Sequence, residues 1–351
     1  MWHSREREYV IVEKSEGAPA PTQPVSIRKS IPWFRLSISL LLSLLGLWFV
    51  TRDVDLVELR LAFQQANLQY VLLGLIVIAV TVVAKAWRWQ LLFHGSEDRP
   101  SLSPLFWSLS LGQLVNTAVP FLRLGEVARV YDLGARAEQS RARALGTLVV
   151  EKVLDLIMLV LTLALLIPFL VIPNFVGQSG AIMAAIGVVA LLGLIAVALR
   201  TDLALRLAQT VARPLPAPIR KRALSILVAG LEGLAALRDA RAIFALLLVS
   251  AFIAFLSILT PWVLFPAVGI GLGLVPAAAI HVVLTVGTLP PSTPAKVGVF
   301  EFLVAFMLQF FDIENSALIL AYTIIYHLVV VVPQIVFGGI AAARRSGSHH
   351  D

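Results

Sequence analysis

The sequence predicts an all-α protein that crosses a membrane several times, and two observations support that prediction. The first is composition: 59% of the 351 residues are hydrophobic, 14% are charged and the mean hydropathy is +0.89. A soluble domain does not use that much apolar surface. The second is the recurrence of apolar runs close to the roughly 20 residues that span a bilayer. Six such runs are predicted as membrane-spanning helices: 36–50, 70–93, 144–167, 180–199, 242–265 and 317–341.

Basic residues predict how these helices are oriented. Residues 1–35 carry six Lys or Arg and residues 200–241 carry eight, whereas the segments on the opposite side are nearly free of them. Because loops rich in Lys and Arg stay in the cytoplasm, both termini are expected there, in a bacterial inner membrane. The expected organisation is a disordered cytoplasmic tail at 1–35, a transmembrane domain at 36–342 and a cytoplasmic tail at 343–351. The net charge of +7 is attributed to these loops and not to nucleic-acid binding.

The first of two broken segments follows the apolar run 102–119. Pro120 interrupts that run, and Arg123, Gly125 and Glu126 come directly after it. Irregular backbone at membrane depth is tolerated only where protein buries it or where it lines a watery cavity. Charged groups there cost roughly 2.5–3.5 kcal/mol each on insertion scales and are usually functional. Since both flanking segments are predicted to be cytoplasmic, 102–119 is predicted as a re-entrant hairpin that turns back near Pro120.

The second broken segment lies between the apolar runs 275–290 and 297–311. It repeats the order of the first: prolines, a basic residue, a glycine and a glutamate. These residues are Pro290, Pro294, Lys296, Gly298 and Glu301. The two runs are either two full spans or a second re-entrant hairpin. If both breaks are hairpins, they enter from opposite faces, as in an inverted repeat around a site at the midplane.

The residues of the first break predict an anion site. Glu126 and Arg129 share one face of a helix if that helix begins at Gly125. A helix N-terminus beside arginine side chains, here Arg123 and Arg129, suits a phosphate group. The alternative is that these arginines are ordinary cytoplasmic residues and that Glu126 pairs with one of them.

Two carboxylates occur within the predicted helix 144–167. Glu151 and Asp155 are four residues apart, so they lie on one helix face and need a basic partner at membrane depth. The candidate partners are Lys152, Arg123, Arg129 and Lys296. A structural ion pair and a proton or substrate role both remain open.

Several other residues receive structural interpretations. Trp87, Arg88 and Trp89 are predicted to anchor a helix end at the membrane interface. His281 and His327 are expected to hydrogen-bond between helices rather than to relay protons. Cysteine is absent and no HxxxH or HExxH pair occurs, so neither a metal site nor another cofactor is expected. Residues 201–241 have apolar residues at helical spacing and are predicted to include an interfacial amphipathic helix.

Three blocks of the sequence together resemble a known family. They are NTAVPFLRLGEVARVY, TLVVEKVLDLI and TLPPSTPAKVGVFE. In this order they resemble the hallmark blocks of a flippase-like membrane family, typified by the transmembrane region of lysylphosphatidylglycerol synthetases. The matching positions are Asn116, Pro120, Arg123, Gly125, Glu126, Arg129, Glu151, Asp155, Pro290, Pro294, Gly298 and Glu301. The sequence departs from the family at Ala295 and Lys296, where a glycine-rich turn is expected.

The resemblance implies a membrane domain that moves a lipid between leaflets. Arg123 and Arg129 would contact a phosphate, in a cavity that both breaks line. Four acidic residues would balance charge or recognise a cationic headgroup: Glu126, Glu151, Asp155 and Glu301. The aminoacyl-transferase domain of full-length synthetases is not expected here, so an enzyme is not predicted. The expected partners are membrane lipids with an anionic headgroup, with a homo-oligomer or a lipid-modifying enzyme as further possibilities.

An alternative function rests on Asp53 and Asp55. They form a DxD pair in the first loop opposite the cytoplasm. Membrane glycosyltransferases that use lipid-linked sugars often carry acidic catalytic residues in such a loop. On this interpretation the protein acts as, or assists, an enzyme of lipid-linked glycan or hopanoid synthesis.

Overall fold

The computed structural model describes residues 33–93, 99–119, 124–137, 139–166, 235–289 and 293–347, together with three isolated positions. Every extended regular element among them is helical, which confirms the all-α prediction. In chain order the α-helices are α1 (Trp33–Thr51), α2 (Leu56–Gln65), α3 (Leu68–Leu91), α4 (Leu102–Ala118), α5 (Leu124–Ala137), α6 (Arg141–Leu166), α7 (Ala240–Leu264), α8 (Leu274–Gly287), α9 (Val299–Phe310) and α10 (Ser316–Gly347). Short 3₁₀ turns occur at Ala235–Arg238, Phe265–Val268 and Pro294–Lys296.

Three helical stretches are long and apolar enough to cross a membrane. They are Leu68–Leu91, Ala240–Val268 and Ser316–Arg345, with mean hydropathies between 2.1 and 2.8. They correspond to three of the six predicted spans, and they support a multi-pass membrane protein.

The other three predicted spans are not confirmed. Helix α1 (Trp33–Thr51) contains the span predicted at 36–50, and its stretch Leu40–Thr51 is found as a shorter apolar helix. Helix α6 contains the span predicted at 144–167, but charged residues interrupt its apolar surface. The span predicted at 180–199, and most of the amphipathic stretch predicted at 201–241, lie outside the described residues.

The first broken segment is a hairpin of two helices, larger than predicted. Helix α4 runs unbroken to Ala118, and α5, which begins at Leu124, packs along α4. Pro120 lies outside the described residues, and 102–119 is one limb and not a whole hairpin. Residues 124–137, predicted as cytoplasmic loop, form the second limb. The helix considered from Gly125 begins at Leu124, and its packing on α4 as a second limb was not predicted, because its buried face carries charged side chains.

The second broken segment is also a hairpin. Helix α8 has 14 residues and α9 has 12. At 1.5 Å per residue they are roughly 21 and 18 Å long, well short of the roughly 30 Å hydrocarbon core. The two helices pack against each other across the turn at 288–298. Of the two alternatives, the structure therefore favours a re-entrant hairpin over two full spans.

The element order occurs twice among the described residues. Helix α3, the hairpin α4–α5 and α6 match, in order, α7, the hairpin α8–α9 and α10. The packing follows the same order: α3 contacts α7, α4 contacts α3 and α10, and α8 contacts α7 and α6. This arrangement is that of two related halves. An inverted orientation of the halves in the membrane remains a prediction.

A buried charged group joins the first hairpin to the end of α10. Asp132 is fully buried, and its Oδ2 accepts hydrogen bonds from Ser108 Oγ at 2.7 Å and Arg136 Nε at 2.6 Å. Arg136 Nη2 donates to the carbonyl oxygen of Ala341 at 2.7 Å. Arg136 was predicted as an ordinary cytoplasmic residue, and here it connects α5 to α10.

Candidate functional site

A glycine contact fixes the first hairpin. A Cβ atom on Gly125 would lie 2.0 Å from the carbonyl oxygen of Gly112 and 2.5 Å from Cγ of Asn116. The helices therefore approach more closely than any side chain at Gly125 permits. The Gly125 N–H donates to Asn116 Oδ1 at 2.8 Å, so one open N–H at the start of α5 is already satisfied. In the structure, Asn116 and Gly125 hold the hairpin together.

Arg129 lies at the centre of a buried charged cluster beside this hairpin. Its Nη2 is 3.0 Å from Glu126 Oε2 and 2.9 Å from Glu151 Oε1, and the side chain is 3% exposed. The guanidinium also lies 4.9 Å from the ring centroid of Trp89, a cation–π contact. Arg129 therefore joins α3, α5 and α6, and its Nη2 already faces two carboxylates.

Arg88 belongs to the same cluster, so its predicted role as an interface anchor is wrong. Its Nη2 lies 2.7 Å from Asp155 Oδ1, and the residue is 2% exposed. Trp89 is also buried, and its Nε1 donates to Thr147 Oγ1 at 2.9 Å. Only Trp87 is exposed, as an anchor would be. The sequence contained one signal for this role of Arg88. Glu151 and Asp155 lie on one helix face and require more cationic partners than Arg129 alone.

Lys152 completes the pairing of the acidic residues. Its Nζ lies 3.0 Å from Glu126 Oε1, with Glu151 at 3.7 Å and Asp155 at 3.9 Å. Each of the three carboxylates therefore has a cationic partner. Two of the candidate partners, Lys152 and Arg129, are found here. Arg123 lies outside the described residues, as do Pro120 and Pro290.

Lys85 differs from these cations and was missed by the sequence prediction. It lies one helical turn before Arg88 on α3, yet it makes no hydrogen bond and no ion pair within 4.0 Å in the described part of the chain. Together with Gln113 it lines three separate cavities. One of these, of about 160 Å³, lies over the charged cluster.

The second break is a strained turn that α10 holds in place. Ala295 and Lys296 have left-handed backbones, with φ of 54° and 63°, a region that residues other than glycine rarely adopt. The expected glycine-rich turn is therefore present in conformation although glycine is absent at both positions. His327 Nε2 hydrogen-bonds the carbonyl oxygen of Ala295 at 2.8 Å. Pro294 opens the 3₁₀ turn, and Lys296 Nζ donates to Thr288 Oγ1 at 3.0 Å.

Glu301 and His327 form a buried pair behind this turn. His327 Nδ1 is hydrogen-bonded to Glu301 Oε1, and Glu301 Oε2 accepts from the N–H of Gly298 at 2.6 Å. Gly298 has a φ of 89°, and a Cβ there would lie 2.2 Å from the carbonyl oxygen of Ser43. A carboxylate and a carbonyl oxygen only accept, so His327 donates at both nitrogens when Glu301 is ionised. The pair then carries no net charge, and it also carries none if the proton lies on Glu301.

The two predicted histidine roles have different outcomes. His327 joins α10 to α9 by a hydrogen bond, as predicted. His281 lines a cavity of about 160 Å³ beside Lys85 and makes no side-chain hydrogen bond within the described residues.

A larger cavity, of about 510 Å³, lies between the two hairpins. Residues of both breaks line it, including Asn116 from the first and Ala295 from the second. The lining contains Lys85, Lys152 and Lys296, which are all the lysines within the described residues, and no Asp or Glu from that part of the chain. Amides and hydroxyls add polar groups, and apolar residues such as Leu289 and Val331 also line the cavity. The remaining lining residues are Gln113, Thr117, Leu284, Thr285, Thr288, Leu289, Phe300, Tyr326, His327, Val330, Val331 and Gln334.

The acidic pair of the first loop lies away from this cavity. Asp55 caps α2, accepting from the N–H of Val57 at 2.7 Å and of Glu58 at 3.3 Å. Asp53 is exposed and pairs with Arg52 at 2.9 Å. Across the described residues, no group of three or more His, Cys, Asp or Glu could hold a metal ion.

Comparison with known families identifies the chain. The family model described as "Lysylphosphatidylglycerol synthase TM region" matches residues 36–338. The chain belongs to this family. The match extends from α1 into α10 and includes both hairpins and the lysine-lined cavity, and it confirms the resemblance of the three sequence blocks. Comparison with individual curated proteins gives no match.

Proposed function

We propose that this member of the lysylphosphatidylglycerol synthase TM-region family moves a lipid with an anionic headgroup between the leaflets of a membrane. The headgroup occupies the 510 Å³ cavity between the two hairpins. The observation that supports this proposal is the lining of that cavity: three lysines and no carboxylate among the described residues. Cationic side chains at membrane depth are costly unless they pair or line a cavity, and they commonly mark substrate pathways.

The pairing of the carboxylates supports an anionic rather than a cationic headgroup. Glu126, Glu151 and Asp155 are held by Arg88, Arg129 and Lys152, and Glu301 is held by His327. None of the four is available to recognise a cationic headgroup. Their role in this proposal is to keep cations in position beside the cavity.

The roles of the two predicted phosphate contacts are revised accordingly. Arg129 positions the cluster, because its Nη2 already lies between two carboxylates. Lys85 replaces it as the phosphate contact, since Lys85 lines the cavity and makes no ion pair within 4.0 Å in the described part of the chain. Arg123 remains a predicted contact from the segment between α4 and α5.

Both halves of the repeat contribute to the cavity, which suits transport by rocking of one half against the other. Apolar lining residues, including Leu289 and Val331, can contact the first carbons of an acyl or prenyl chain while the headgroup contacts lysines. Residence in an inner membrane with cytoplasmic termini is part of this proposal. Because the chain has no cysteine, single-cysteine labelling of intact cells at Arg52 and Arg345 tests that orientation.

Translocation in proteoliposomes tests the function. Headgroup-accessible fluorescent phosphatidylglycerol is followed for the wild type, Lys85→Gln, Lys85→Arg and the control Arg60→Gln, which removes one exposed positive charge from α2. The wild type, Lys85→Arg and Arg60→Gln are expected to translocate, whereas Lys85→Gln loses most of the rate. Absence of movement by the wild type across several anionic lipids would refute the proposal.

The glycosylation alternative makes a different prediction in the same assay. No contact in the described part of the chain favours it, because Asp55 caps a helix and Asp53 pairs with Arg52. Asp53→Asn is therefore expected to translocate like the wild type.

A further inference from the structure

We infer that the lipid movement is coupled to protons, and that His281 carries one proton for each anionic headgroup that crosses. This inference rests on the proposed function, since it specifies what drives the same transport. The observation behind it is a second cavity inside the helix bundle, of about 160 Å³, which adjoins the headgroup cavity.

The second cavity lies among helices that are long enough to cross a membrane. Its lining comes from α3, α7 and α10, together with the hairpin helices α4 and α8. Several residues line both this cavity and the headgroup cavity: Lys85, Gln113, Tyr326, Val330 and Gln334. The two cavities therefore share a wall, and Lys85 is part of it.

The wall of the second cavity is rich in hydrogen-bond acceptors. Three hydroxyls on it donate to the carbonyl oxygen four residues earlier in their own helix, at 2.7–3.0 Å: those of Thr81, Ser257 and Thr260. A hydroxyl has one proton, so these oxygens only accept from any group inside the cavity. A buried water needs at least about 10–15 Å³ and about 2–4 polar partners. The cavity therefore has room and partners for several waters.

Two basic side chains share this cavity, Lys85 and His281. Within the described residues His281 makes no side-chain hydrogen bond, and Lys85 makes neither a hydrogen bond nor an ion pair within 4.0 Å. Histidine is the side chain that most readily gains and loses a proton near neutral pH. Ionisable residues at membrane depth commonly mark proton and substrate pathways. His281 is thus placed to exchange a proton with water in the cavity.

No other charged group among the described residues lines this cavity. Helix α8, which carries His281, packs against α6, α7 and α9. Helix α7 has one charged residue, Arg241, next to its first residue. Tyr326 of α10 adds a phenol, which is neutral at physiological pH. The ionisable residues of α6 and α9 nearest this depth have partners of their own, and these are Glu151, Lys152, Asp155 and Glu301.

Lys85 connects the proton on His281 to the headgroup. Two positive charges in one cavity of low polarity repel each other, so a proton on His281 is unfavourable while no anion lies beside Lys85. An anionic headgroup at Lys85 offsets that charge, and an imidazole nitrogen of His281 then takes a proton from water. Because coupling between two bound ligands is reciprocal, the proton also favours headgroup binding. The headgroup and the proton cross together and are both released on the other side.

The steady-state distribution of a lipid in proteoliposomes tests this coupling. The full chain is reconstituted with a trace of fluorescent phosphatidylglycerol, whose phosphodiester stays singly charged near neutral pH, and valinomycin with potassium holds the membrane potential at zero. With one proton per lipid, a gradient of about one pH unit supports at most roughly a tenfold ratio between the leaflets. With the acidic side outside, the wild type and the control Arg60→Gln are expected to enrich the lipid at least about threefold in the inner leaflet. His281→Gln and His281→Asn are expected to reach a ratio near one.

An imposed membrane potential at equal pH gives the converse test. A proton and a phosphodiester together move no net charge, whereas the headgroup alone moves one. A potential of about 60 mV corresponds to a tenfold ratio for one charge. The wild-type distribution should not respond to this potential. In both His281 variants the lipid should accumulate at least about threefold on the positive side.

The outcomes separate this inference from the proposed function. Wild-type movement that ignores the pH gradient and follows the potential would overturn proton coupling while leaving anionic-lipid transport standing. Enrichment by the pH gradient in both His281 variants would overturn the assignment to His281. Complete loss of movement in both variants would also overturn it, because loss of a proton carrier alone leaves movement down the lipid's own gradient. Absence of wild-type movement under every condition would overturn the proposed function itself.

Discussion

Replacing Gly125 by alanine gives the most direct test of the first hairpin. The added Cβ would lie 2.0 Å from the carbonyl oxygen of Gly112, 2.5 Å from Asn116 Cγ and 2.6 Å from Asn116 Oδ1. Carbon and oxygen do not approach closer than about 3 Å without strong repulsion. The helices α4 and α5 must therefore separate by roughly 1 Å, and the 2.8 Å hydrogen bond from the Gly125 N–H to Asn116 lengthens with them.

The expected magnitude follows from two opposing effects. Overpacking of a tight contact costs about 1–3 kcal/mol, and weakening of a part-buried hydrogen bond adds about 1 kcal/mol. Alanine in place of glycine within a helix returns about 0.5–1 kcal/mol. The net expectation is a loss of about 1–3 kcal/mol. At roughly 2–4 °C per kcal/mol, the melting temperature in detergent should fall by about 2–12 °C.

Gly339→Ala provides the matched control. Gly339 lies in α10, where a Cβ would meet nothing within 4 Å, so only the helix-forming gain applies. Its melting temperature, followed by tryptophan fluorescence, should equal or exceed that of the wild type. If Gly125→Ala melts at or above Gly339→Ala, the close approach of α4 and α5 is wrong.

Two further substitutions test the buried polar groups. Asp132→Asn removes the ionic partner of Arg136 at the fully buried Asp132 position and is expected to cost up to about 3–5 kcal/mol. The control Asp53→Asn, at an exposed position, should change stability by less than about 0.5 kcal/mol. Equal melting temperatures of the two variants would contradict the buried pairing. His327→Leu removes the hydrogen bonds to Ala295 and Glu301 that hold the turn with its two left-handed residues. The melting temperature of this variant should therefore fall below that of the wild type. Ala295→Gly should restore part of that loss, because left-handed backbone costs other residues about 1–3 kcal/mol, and no recovery would show that the strain is unimportant.

The class of fold and the positions of both breaks could be predicted because the signals are local. Apolar length identifies membrane helices, and prolines and glycines in the sequence mark the breaks between α4 and α5 and between α8 and α9. The packing of α5 as the second limb of the first hairpin was not predicted, because its buried face includes the charged residues Arg129 and Asp132. Those charges are tolerated only because other helices supply their partners.

The composition of the site was predictable only in part, for the same reason. Glu151 and Asp155 predicted that cationic partners lie nearby. Arg88 and Lys85 were not predicted as those cations, because they lie far away in the sequence on an otherwise apolar helix. Arg88 beside two tryptophans resembled an interface anchor. Only the packing of α3 against α4 and α7 reveals that it is buried. The left-handed turn at Ala295 was equally hidden, because no glycine marks it.

The central claim is that an anionic headgroup lies between the two hairpins beside Lys85. The most direct measurement is a cryo-electron microscopy map of the full chain in nanodiscs containing phosphatidate. The account predicts phosphate density within hydrogen-bonding distance of Lys85 Nζ, in the cavity that Asn116 and Ala295 also line, and its loss in Lys85→Gln. Lipid density confined to the outer surface of the helices, unchanged by that substitution, would contradict it.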